Sequence, residues 1–240
     1  MAIVSQLIDY TDDGVALQGR VYFDDAVTAA RPGVLVGHQW GGRDGFADSQ
    51  AEALAGLGYV GFALDMYGKG VLGNSIEENS KLMGPFMEDR SRVARRTQAA
   101  LAAIKTLPQV DPTRVGGIGF CFGGLCMLDL ARSGADLLGV VSFHGLLKPN
   151  GLAPNPIRAK ILVLHGADDP LAPVEEFIAL REEFNAGGCD WQAHIYGNAK
   201  HAFAVPGANV PEIGVRHDAA AERRSKASMR AFLEEIFAPA

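Results

Sequence analysis

The chain has 240 residues, 48% of them hydrophobic and 21% charged, with a formal net charge of −6. That length fits one domain around one core, so residues 1–240 are expected to form a single unit. Charges of both signs are scattered without a basic run that could track phosphates, which speaks against a nucleic-acid partner. No apolar stretch approaches the roughly 18–20 residues of a membrane span.

Residues 1–14 lack a basic segment followed by an apolar block and do not read as a secretory signal. Two alternating segments, 4–10 and 16–23, flank the turn-forming Thr11-Asp12-Asp13-Gly14 and read as an antiparallel hairpin at a sheet edge. Beyond it, short apolar runs at 34–37, 59–64, 115–120, 139–143 and 161–164 lack strict alternation, as strands buried on both faces should.

Helical periodicity fills the gaps. Phe46, Leu54 and Leu57 share one face of a first helix, and Val93, Leu101, Ile104 and Leu107 mark the longest one, after Pro85. Val174, Phe177, Leu180 and Phe184 form another, begun by Pro173. The last, at 219–237, carries Met229, Phe232, Leu233, Ile236 and Phe237 at a 3.6-residue period. Strand alternating with helix implies a doubly wound, mostly parallel sheet, with ligands beyond the carboxyl ends of its strands. Three irregular stretches, 66–84, 146–158 and 205–216, could cover such a site. Three cysteines (Cys121, Cys126, Cys189) form no C-x-x-C pair. That sparse, odd set points to a reducing cytoplasm and away from a disulfide framework or a zinc site.

Gly119-Phe120-Cys121-Phe122-Gly123-Gly124 follows a strand and opens a helix, the context in which G-x-nucleophile-x-G carries meaning. A turn that sharp strains its central residue, and glycine at 119 and 123 removes the collisions that flanking side chains would cause. Cys121 then stands at a helix N-terminus, which favours thiolate, and the Phe122 N–H is the natural first oxyanion donor.

The elbow predicts an order of nucleophile, acid and histidine, each at a strand's carboxyl end. Residues 161–164 lead into His165-Gly166-Ala167-Asp168-Asp169-Pro170, and residues 191–196 lead into Gly197-Asn198-Ala199-Lys200-His201. His201 would take the proton of Cys121 and return it to the leaving group, with a carboxylate orienting the imidazole. Two aspartates compete for that post. The spacing to Pro173 favours Asp169 and leaves Asp168 as a turn or capping residue. His194 and His217 read as structural, while His144 and His165 could line the site without catalysing.

Together with Asp65-Met66-Tyr67 and Lys200-His201-Ala202-Phe203, these segments resemble the dienelactone hydrolase family of the α/β-hydrolases over about residues 33–237. The resemblance implies an α/β-hydrolase fold, no cofactor, and hydrolysis of small lactones or esters through a thioester. It also implies that His38-Gln39-Trp40-Gly41-Gly42 is the second oxyanion segment, with the Trp40 N–H as partner of Phe122, and that Gln39, Tyr67, Lys69 and Phe203 contact substrate. Two departures stand out. The family commonly has a glutamate, thought to engage the resting thiol, where this chain has Gln39. Two arginines that hold a substrate carboxylate match Lys69 and Val205 here, so a bidentate clamp is missing. A thioesterase or acyltransferase with the same triad, or a ligand-binding homologue without turnover, would share these motifs. The oligomeric state is not written in them.

Overall fold

Asp13 and Gly14 stand at φ 50° and 75°, the pair of positive angles that a tight two-residue hairpin turn requires. The chain doubles back there from β1 (Ile3–Asp12) into β2 (Val15–Asp24), paired antiparallel from end to end. The computed structural model describes residues 2–238. After β2 come β3 (Arg31–Gly37), α1 (Gly45–Gly56), β4 (Val60–Ala63), α2 (Ile76–Glu88), α3 (Arg90–Lys105) and β5 (Val110–Phe120). The remainder is α4 (Phe122–Arg132), β6 (Gly139–Phe143), β7 (Lys160–Gly166), α5 (Val174–Ala186), β8 (Trp191–Tyr196), the short strands β9 (Asn209–Val210) and β10 (Val215–Arg216), and α6 (Ala219–Ile236). Contacts gather the chain into two compact units, one ending at Ile118 and the other starting at Gly119.

In the first unit the strands lie side by side in the order β1-β2-β4-β3-β5, antiparallel from β1 to β4 and parallel between β4 and β3. Every residue of β3 and β4 is buried, which explains their unbroken apolar runs. Helix α1 buries Ala47, Ala51, Leu54 and Ala55. This corrects the expected face, since Phe46 is half-buried and Leu57 is exposed. Small residues win because α1 lies almost in contact with β4: a Cβ on Gly61 would overlap the Ala51 carbonyl.

Helix α2 was not expected in the irregular stretch 66–84. Its start is a capping arrangement, with the Ser75 hydroxyl accepting the Glu78 N–H at 3.1 Å. Only Phe86 is buried on it, and Pro85 lies inside it, so apolar periodicity had nothing to display. Leu107 falls beyond the end of α3, and α6, with 18 residues, is longer than α3, with 16.

In the second unit β6, β7 and β8 pair in parallel, with α4 against β6 and α6 against β6 and β7. Met229, Phe232, Leu233, Ile236 and Phe237 are all buried, as their period predicts. All of α4 is buried, so its charges are paired: Arg132 meets Asp129 at 3.2 Å and Glu183 of α5 at 2.7 Å. Residues 146–158 carry no helix or strand, whereas 205–216 hold the β9–β10 pair and a short 3-10 turn.

The tight contact of α1 with β4 yields a first prediction. Gly61→Ala should destabilise the protein by about 1–3 kcal/mol through overpacking. Urea denaturation followed by circular dichroism measures it, and an unshifted midpoint would mean that α1 can retreat without loss.

Candidate active site

The sharp turn at Cys121 is built from its neighbours. A Cβ on Gly119 would overlap the Gly123 carbonyl and lie 2.7 Å from the Gly124 nitrogen. The missing side chain at Gly119 therefore lets the start of α4 pack directly on it, and Cys121 between them takes φ 56° and ψ −117°. The Cys121 N–H donates to the Phe143 carbonyl at 3.0 Å, and its own carbonyl receives the N–H of Gly124 and Leu125. The side chain has 8% exposure, in contrast to Cys126 on the next turns at 0%.

The loop after β7 delivers the acid. Asp169 is buried, and its Oδ1 accepts the N–H groups of Leu171 (2.9 Å) and Ala172 (3.2 Å). The turn so formed leaves Oδ2 for the His201 Nδ1 at 2.8 Å. Asp168 is exposed, and its backbone N–H donates to the Ala199 carbonyl. Of the two aspartates, Asp169 is the one brought to the histidine.

His201 sits in a loop tied at both ends of its own residue. Its N–H donates to the Gly214 carbonyl and its carbonyl accepts the Arg216 N–H at 2.9 Å, so the β9–β10 segment fixes its backbone. The carboxylate can only accept, so Nδ1 carries a hydrogen and Nε2 is left for the thiol. Nε2 makes no hydrogen bond in the structure. Burial opposes a charge on this ring, but the nearby Cys121 sulfur and the Asp169 carboxylate outweigh it. They raise the imidazole from its ordinary value to about 10.

The other histidines of this region are driven the opposite way. His144 lies edge-on to His201 at 5.2 Å, fully buried at φ 36°. Burial and the neighbouring His201 charge hold it well below the ordinary imidazole value. His165 stacks flat on Phe177 at 6.0 Å, and burial pushes it down as well. His194 meets the Ser228 hydroxyl and His217 meets Glu222, both as structural contacts.

The residues expected at the substrate are placed less simply. Phe203 is fully buried with its ring 5.3 Å from those of His144 and Tyr196, so it packs as a wall and offers no surface. Val205, by contrast, is partly exposed. In the first unit, Lys69 is exposed and reaches both oxygens of Asp9 at 3.1 and 3.2 Å. The Tyr67 hydroxyl donates to the Trp40 carbonyl at 2.8 Å. Gln39 and Trp40 are half-buried and line a recess of about 250 Å³ with Gly41, Leu72, Gly73 and Asn79, in which Asp44 is the only ionisable residue. Asp44 is already engaged as the cap of α1. His38, which sequence reasoning passed over as part of a motif, is buried between Gln39 and Met66.

A nucleophile turn with acid and histidine on later loops of a parallel α/β sheet defines an α/β-hydrolase. Within that class the chain belongs to the dienelactone hydrolase family, whose model matches residues 17–237. It is similar to a solved structure from metagenomic libraries described as a dienelactone hydrolase-like promiscuous phosphotriesterase. The two share 39% identity at a TM-score of 0.94 over 99% of this chain and 100% of that one. An uncharacterized Caenorhabditis elegans protein is 40% identical over 147 residues, 60% of this chain and 93% of that protein. A provisionally named carboxymethylenebutenolidase of Methylorubrum extorquens is 29% identical over 163 residues, which are 62% of this chain and 55% of the relative. The chain is thus a carboxylic ester or lactone hydrolase by family.

The balance of forces on His201 can be tested directly. In Cys121→Ala the influence of the sulfur is gone, and burial is opposed by Asp169 alone. The His201 titration midpoint, followed by proton NMR of the ring, should fall from about 10 toward the ordinary histidine range. A midpoint unmoved by the substitution would show that Asp169 carries the shift unaided.

Proposed function

We propose that the chain, acting as one catalytic domain, hydrolyses small neutral esters and lactones through a Cys121-His201-Asp169 triad and a thioester intermediate. The reading is supported above all by geometry: Asp169 holds the His201 Nδ1 at 2.8 Å, and Cys121 stands at positive φ on the turn before α4. The Cys121 sulfur attacks the acyl carbon while its proton resides on His201. The resulting oxyanion is met by the backbone N–H groups of Phe122 and Trp40. Collapse expels the alcohol, which takes the proton from His201, and leaves the acyl group on sulfur. Water then gives a proton to His201 and its oxygen to the acyl carbon, and the acid leaves as the thiolate returns.

Three cysteines without a disulfide among them fit a reducing compartment, and we place the protein in the cytoplasm. Among the described residues no helix is long and apolar enough to cross a membrane. A small-molecule substrate, without cofactor or nucleic acid, completes the reading.

A second reading is favoured by the metagenomic relative. Attack of the same thiolate on a phosphotriester would form an S–P bond and expel an aryloxide, and water activated by His201 would then cleave that bond. Mixing with p-nitrophenyl acetate and, separately, with an aryl phosphotriester, followed by intact mass, distinguishes an acyl from a phosphoryl adduct on Cys121.

The triad reading predicts that Cys121→Ala abolishes ester turnover and any adduct, while Cys126→Ala and Cys189→Ala retain both. Asp169→Asn should lower kcat by about 10³–10⁴, by analogy with other triads, and Asp168→Asn should stay near wild type. Reversed outcomes at the two aspartates would overturn the assignment of the acid.

A further inference from the structure

The segment after β3 is held at every carbonyl from Gln39 to Gly41. The Gln39 oxygen accepts from the His38 Nδ1 and from the Gly42 N–H at 3.2 Å. The Trp40 oxygen accepts from the Tyr67 hydroxyl, and the Gly41 oxygen from the Gly73 N–H at 2.9 Å. In a trans peptide the C=O and N–H lie in one plane and point in opposite directions. Gripping the Gln39 carbonyl with two donors therefore fixes the Trp40 N–H on the other side, and a peptide flip would break both bonds at once.

His38 is the centre of this grip. The Met66 N–H donates to its Nε2 at 3.2 Å, so Nε2 is unprotonated and Nδ1 holds the hydrogen directed at Gln39. Its side chain is fully enclosed, and burial pushes its pKa below the ordinary value, against the pull of the Gln39 carbonyl. The neutral tautomer that the bonds require is the one the environment favours. Tyr67 lies edge-on to His38 at 5.0 Å, and its hydroxyl reaches the next peptide along.

We propose that His38, with Tyr67 as a second arm, is a positioning residue that presents the Trp40 N–H to the developing oxyanion before substrate arrives. This rests on the reading of Trp40 as the second oxyanion donor. Both side chains act through the peptide planes of residues 39–41, and the gain comes from dipoles that need no turning during the reaction.

Two reactions of Cys121 separate this role from general packing. Acylation by p-nitrophenyl acetate passes through an oxyanion, whereas alkylation by iodoacetamide displaces iodide at carbon and forms none. With intact-mass kinetics on the full chain, His38→Phe should slow acylation by about 10–100-fold, part of the loss of a whole oxyanion donor. His38→Gln, which can still donate, should recover some of that rate. Tyr67→Phe should slow acylation by about threefold to tenfold, the worth of one hydrogen bond. Alkylation should be unchanged in all three. Acylation at the wild-type rate in folded variants, or a parallel fall of both rates, overturns the inference. If the His38 variants fail to fold, Tyr67→Phe decides alone by the same criterion. Absence of an acyl adduct on Cys121 in the wild-type protein would instead defeat the nucleophile reading, and the inference with it.

Discussion

The close approach of Gly119 and Gly123 is the constraint on which the second unit is organised. With Gly119 packed directly on Gly123, Cys121 between them takes φ 56°, a conformation that costs a non-glycine residue of order 1–3 kcal/mol. The turn persists because both flanks are anchored. The Cys121 N–H is fixed to β6 through Phe143, and α4 is buried along its whole length with its two opposite charges paired. What the strain secures is position: Cys121 stands at the N-terminal end of a helix, 8% exposed, while Cys126 on the same helix is sealed inside.

In the proposed triad the two later loops have a defined task, to bring a proton acceptor to one sulfur and no other charge with it. The environment divides the histidines accordingly. Asp169 directs both of its oxygens, one to its own loop and one to His201, so the imidazole has a single tautomer and a single orientation. His144 and His165 pack around the same group but are kept neutral by burial, and the charge on His201 disfavours a second one nearby. A cation at either would compete with His201 for the thiolate. For the proposed thiolate chemistry their neutrality would then matter as much as the basicity of His201.

Much of this could be read from the chain because it follows from periodicity and local sterics. Fully buried strands, the C-terminal helix and the glycine-flanked turn each leave a mark in a short window, and so does the proline spacing that favoured Asp169. The signals that failed were those set by distant partners. Beside Leu54 the inner face of α1 is alanine because Gly61 of β4 brings the backbones together, and no helical pattern within 45–56 announces that. Helix α2 buries one aromatic residue, so its Ser75–Glu78 cap was the sole local sign of it. Phe203, Tyr67 and Lys69 could be placed near a substrate by resemblance, yet their contacts depend on Tyr196, Trp40 and Asp9, each remote in sequence.

The charges of the first unit bear on what the protein selects. Lys69 is the one cation the family pattern would keep for a substrate carboxylate, and it already has both oxygens of Asp9. Exposed ion pairs of this kind hold weakly, so a carboxylate could displace Asp9, but it would gain only what it replaced. A lysine offers no planar fork to recompense the exchange, and the second position is valine. The recess beside Gln39 and Trp40 carries amides, a glycine edge and an already engaged aspartate. A neutral acyl or alcohol group loses less hydration on entering such a surface than an anion does, and meets donors and acceptors in place of a missing counter-charge. The preference for uncharged esters proposed above would then rest on what these residues lack as well as on what they present.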